Sequence, residues 1–119
     1  MSNEVIAEFR DSGNRFVEIA KSAPSEKLHK SNQNDEWSPA NIIHHLADTE
    51  AHFYIRYLKI LTEDIPETDF FDENVYQVRL KYGKRDVEKS LHLLQSLRVH
   101  EFIASCPVCV DTVSKVIKT

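Results

Sequence analysis

The chain has 119 residues and a net charge of −4, with 41% of residues hydrophobic and 29% charged, the composition of one globular domain with one core rather than of a disordered chain. Two glycines and four prolines are too few for the turns of a sandwich or barrel and favour helices. The absence of a Lys/Arg run argues against a nucleic-acid surface, no apolar run approaches the ~20 residues of a membrane span, and the acidic start "MSNEVIAEFR" lacks the order of a signal peptide, so a cytoplasmic protein with reduced cysteines is expected.

Residues 3–22 predict the first helix, with Val5, Ile6, Phe9, Phe16, Ile19 and Ala20 at helical spacing and Gly13 as a weak point. Ala23-Pro24 ends it. The polar stretch 24–36 reads as a connection with one turn of helix at Ser25–His29. The next helix has the clearest start in the chain. Ser38 is an N-cap, Pro39 suits the first helical position, and Trp37 and Ile42 occupy the two places of a hydrophobic staple. It should run to about Thr62. At ~100° per residue, Ile42, Leu46, Phe53, Tyr57 and Ile60 share an inner face that Ile43, Tyr54 and Leu61 widen.

Residues 63–72 form an acidic loop, and residues 73–82 a short helix stopped near Gly83. Asp86 caps a further helix, expected to reach Ser105, with Val87, Leu91, Leu94, Leu97 and Phe102 inward. After Pro107 only a short last segment remains. Long helices joined by loops predict an all-α antiparallel four-helix bundle in a single domain, residues 1–119, with a short or incomplete last helix.

Six histidines stand at 29, 44, 45, 52, 92 and 100. On the second long helix, His45, Thr49, His52 and Arg56 follow at i, i+4, i+7 and i+11, making one stripe with Asp48 beside it. Two histidines one or two turns apart can share a metal, and a neighbouring carboxylate can ligate or orient them. Helical His and Asp residues are also commonly solvated or bonded to neighbours, so spacing alone leaves both readings open. His44 borders the other side of the apolar face.

The stretch "EWSPANIIHHLADTE" (36–50), continued through "AHFYIRYLKILTEDIP", resembles the DinB/YfiT-like superfamily, over roughly residues 1–105. The resemblance implies a four-helix bundle and a divalent metal (zinc, nickel or iron) held by three histidines. The first is the His directly before Leu-Ala-Asp, here His45; the others form a His-x-x-x-His pair on the last helix. It also implies metal-dependent hydrolysis or thiol S-transfer, with a low-molecular-weight thiol as one partner. No His-x-x-x-His occurs in this chain, so the resemblance supplies His45 and no counterpart for the other two ligands. Three completions stay open. The chain is a shortened form that kept the scaffold, without a metal; the site is finished by His52, Asp48 or a partner subunit; or the tail contributes Cys106 and Cys109.

The tail "CPVCVD" is a C-x-x-C at a helix start, where unpaired amides lower a thiol pKa. It looks like the C-x-x-C of the helical AhpD/carboxymuconolactone decarboxylase-like proteins, but Val113 stands where those carry a His. Three functions follow as expectations: a metal-dependent hydrolase or transferase on His45, with Asp48 and His52 as helpers; an inactive helical scaffold acting as a homodimer; and a thiol-redox protein using Cys106 and Cys109.

Overall fold

The computed structural model describes residues 3–31 and 36–98. His100, Phe102, Cys106 and Cys109 lie outside the described residues, as does the side chain of Ile6. The described elements are all helical: α1 (Asn3–Ser22), α2 (Ser25–Leu28), α3 (Pro39–Thr62), α4 (Glu73–Arg79), a 3₁₀ turn (Tyr82–Lys84) and α5 (Val87–Leu97). None of them is long and apolar enough to cross a membrane.

Local chemistry sets the boundaries. Ser38 Oγ accepts from the Asn41 amide at 3.2 Å and starts α3, with Pro39 at the first position. Asp72 accepts from the amides of Asn74 and Val75, and Asp86 from that of Lys89, so each of the two later helices begins on an aspartate. The stop expected at Gly83 falls earlier. Lys81 takes the left-handed conformation (φ 52°, ψ 56°), which is uncommon outside glycine, and this turn drives the Tyr82 side chain into the interior. α5 closes at Leu97, where Arg98 is extended (ψ 109°); the rest of the span expected to reach Ser105 lies outside the described residues.

α5 packs chiefly along α3 and also against α1. The core joins Val17 and Ala20 of α1, Ile43 and Ala47 of α3, and Leu91 and Leu94 of α5, flanked by Phe16, Leu28, Leu46 and Val87. Phe16 and Ala20 of α1 lie inward as expected, whereas the inner face of α3 is rotated by about one residue, ~100°, from the expected one. Ile19 is 70% exposed and Ile42 43% exposed. The cause is that bulky residues dominate a periodicity count, whereas α3 meets α5 through Ala47 and buries the polar Asn41, His44 and Glu50. The Trp37 ring sits edge-on to His45 and Tyr82. Gly13, expected as a weak point of α1, makes room: a Cβ there would stand 2.9 Å from Arg98 Nε.

Glu50 is buried; one carboxylate oxygen has no hydrogen-bond partner among the described residues, and the other lies 4.0 Å from Arg98 Nη1. Burial raises its carboxyl pKa above the usual 4.5, with the Arg98 guanidinium pulling the other way. The native state then holds this proton more tightly than the unfolded chain, so stability falls as pH rises from about 4.5 through the raised value, and the loss is complete above it. Glu50→Gln removes the charge. Thermal melts should show the variant melting above the parent at pH 7, with the gap narrowing towards pH 4.5; a variant melting below the parent at pH 7 would contradict this sign.

Candidate metal and substrate site

The neighbouring histidines of α3 lead to different places. His44 points into the core and is fully buried; its Nδ1 and Ser90 Oγ of α5 share a hydrogen bond of 2.7 Å. Its pKa is lowered, first by burial and then by the Arg85 guanidinium, against the raising influence of Asp48. Its Nε2 is buried and has no hydrogen-bond partner among the described residues. His44 is a buried residue of the α3–α5 interface.

His45 turns to the opposite side, half-buried, towards a groove of about 520 Å³ between α3, the 63–72 loop and the start of α4. Its Nε2 lies 3.7 Å from Glu73 Oε2, and its Nδ1 3.5 Å from Thr49 Oγ1. The Trp37 ring meets it edge-on at 5.4 Å and limits its rotation. Thr49 and Arg56, the stripe companions of His45, line the same groove.

The two expected helpers of His45 are engaged elsewhere. Asp48 accepts from Arg85 Nη1 and Nη2 at 2.8 and 2.9 Å and from the Tyr82 hydroxyl at 2.6 Å. Both carboxylate oxygens face the α4–α5 connection, a paired and well-solvated charge only in the sense that Arg85 and Tyr82 replace water. Those hydrogen bonds chiefly raise the Arg85 pKa, while burial, reinforced by Asp48, raises that of Tyr82. His52 bonds through Nε2 to the Tyr76 hydroxyl at 3.0 Å and stacks on Phe71, with centroids 4.1 Å apart and planes 6° from parallel. Among the described residues no three of His, Cys, Asp and Glu come together as a metal-holding group. Cys106 and Cys109 are outside them.

Glu73 was not legible as a site residue, because nothing in its spacing relates it to His45; only its place just after the Asp72 cap hinted that a carboxylate would stand at a helix start. His45 and Glu73 nevertheless suit a borderline divalent cation. One offers an imidazole nitrogen and the other a carboxylate oxygen, and 3.7 Å is near the ~3.3 Å that separates two ligands each about 2.0–2.1 Å from a tetrahedral metal. The described residues supply these two donors.

The sequence model of the DinB superfamily matches residues 8–105, and the chain belongs to that superfamily. Its similar proteins include an Oceanobacillus iheyensis protein named "Putative metal-dependent hydrolase OB0782", 30% identical over 95 residues, covering 80% of this chain and 55% of the relative. The "Putative metal-dependent hydrolase YfiT" of Bacillus subtilis is 36% identical over 61 residues, covering 51% of this chain and 34% of that protein. The chain spans about half the length of the first curated relatives it matches. The solved structure of Bacillus subtilis YfiT, described as a four-helix bundle of unusual topology, superposes with a TM-score of 0.76 at 23% identity, covering 89% of this chain and 64% of that one. The fold is therefore the DinB/YfiT-like helical bundle expected from the sequence.

The contact that keeps Asp48 away from His45 is open to test. Asp48→Asn leaves the Arg85 charge partly buried without its partner and should cost about 3 kcal/mol in urea unfolding, the lower end for breaking a buried pair. Tyr82→Phe removes one donor of three and should cost about 1.5 kcal/mol. An Asp48→Asn variant as stable as the parent would show that the pair does not hold α5 to α3.

Proposed function

We propose that this chain carries part of a metal-dependent hydrolase centre in which His45 is a metal ligand and Glu73 its carboxylate neighbour. The observation that carries the reading is the contrast between adjacent histidines: His44 is sealed in the core against Ser90, while His45 presents Nε2 to Glu73 in an open groove. The similar proteins are named as metal-dependent hydrolases, which supports the same reading. The remaining donors come from outside the described residues or from a second chain.

A divalent cation bound there supplies Lewis acidity to a substrate carbonyl and lowers the pKa of a nucleophile. The chain's own residues prepare the site. Thr49 and Trp37 limit the rotation of the His45 ring, and the Phe71 ring lies 6.3 Å from it. Glu73 is placed to orient a ligand beside His45 Nε2 or to take a proton there. Thiol S-transfer with a low-molecular-weight thiol is the same chemistry with a different nucleophile and belongs to this proposal. The family's divalent zinc, nickel or iron all accept an imidazole–carboxylate set.

Elemental mass spectrometry on untagged protein tests the reading. Stoichiometric divalent metal is expected in the parent, absent in His45→Ala and bound about ten-fold or more weakly in Glu73→Gln. Metal in neither parent nor variants would sink the proposal for this chain.

A further inference from the structure

The groove beside His45 contains a cation, Arg56, with no counter-ion among the described residues. Arg85 is matched by both oxygens of Asp48, and Arg98 faces Glu50. Arg56 has no carboxylate within ion-pair distance among the described residues. It is held in place by other means: Nη2 donates to the Asp69 carbonyl at 2.9 Å, and the guanidinium lies over the Phe53 ring, 5.3 Å from its centroid. Its Nε is buried with no hydrogen-bond partner among the described residues, so one edge of the ion has lost water with no replacement among them. A planar, pre-positioned guanidinium of this kind is suited to a carboxylate, whose two oxygens match its paired N–H groups.

The acids around the groove do not neutralise it. Asp72 is used by the amides of Asn74 and Val75, and Glu73 faces His45. The groove is thus polar at two ends and aromatic between them. Phe53 is 37% exposed and Phe70 92% exposed, and both line it. Its volume of about 520 Å³ lies within the roughly 300–1,000 Å³ of small-molecule sites. His45 and Arg56 are eleven residues apart on α3, a rise of about 16 Å. A ligand reaching both needs an elongated apolar body. A single cation flanked by acids does not suit a polyphosphate.

We propose that this groove binds a small organic monocarboxylate, its carboxylate on Arg56 and its apolar body on Phe53 and Phe70, with the far end of a longer substrate directed to His45. This names the substrate class of the centre described above and rests on that reading for its catalytic meaning, although the binding itself requires no metal.

The probe is phenylbutyrate, compared with its neutral isostere phenylbutyramide, titrated into the full chain and followed by amide chemical shifts. The acid should perturb the amides of residues 53–56 and 69–73 and bind about ten-fold or more tightly than the amide, the value expected of a charge-assisted pair. Arg56→Gln should abolish that preference and Arg56→Lys restore part of it. Arg56 also tethers the 63–72 loop, so Lys59→Gln, which removes the neighbouring tether from Lys59 Nζ to the Glu67 carbonyl, is the control and should keep the preference. His45→Ala should also keep it, which separates failure of the metal reading from failure of this one. Equal binding of acid and amide, an unchanged preference in Arg56→Gln, its loss in Lys59→Gln, or no binding of the acid by about 10 mM would overturn the proposal.

Discussion

The Asp48 carboxylate is the constraint on which the rest of this structure depends. It lies one turn after His44 on α3 and takes three hydrogen bonds from the connection that precedes α5. Two come from Arg85, immediately before the Asp86 cap, so the start of α5 is fastened to α3 at one point. The third comes from Tyr82, brought inward by the left-handed Lys81. With α5 fixed in this way, Ser90 stands opposite His44 and Leu91 and Leu94 meet Ile43 and Ala47. A partly buried pair of this sort adds less net stability than its geometry suggests, because both ions gave up water, but it penalises every packing in which one of them is left alone. Its contribution is to select one register of α5 on α3.

That register decides the chemistry of the adjacent histidines. A helix turns ~100° per residue, so when one His enters the interface with α5 its neighbour must face away from it. The carboxylate that sequence spacing offered to His45 is consumed in the process, and a different one, Glu73, arrives from the start of α4. His52 is likewise taken by Tyr76 and Phe71. The His45 side of α3 is consequently sparse in donors among the described residues, while the groove it borders holds Arg56 with no carboxylate partner among them.

Much of the fold was legible because it is written in local chemistry. Ser38-Pro39, Asp86 and the span of α1 are end signals and periodicities that act within a few residues, and the helices follow them closely. The facing of the helices was less legible. Glu50 and Ala47 line the interface with α5 although neither counts as bulky and apolar, and Ile19 and Ile42, which do count, are exposed. At the site, His45 was visible through the family-like stretch 36–50, and the stripe through Thr49 to Arg56 through spacing alone. The partners of Asp48 and His45 were not visible. Arg85 is 37 residues from Asp48 and Glu73 is 28 from His45, and no local rule relates positions brought together only by how α3, α4 and α5 pack.

The division of the two histidines is tested most directly by recording their imidazole nitrogen resonances while zinc is added to the full chain. The account predicts that the ring signals of His45 shift or broaden with added zinc, whereas those of His44, sealed against Ser90, do not respond. A response from His44, or none from His45, would contradict it.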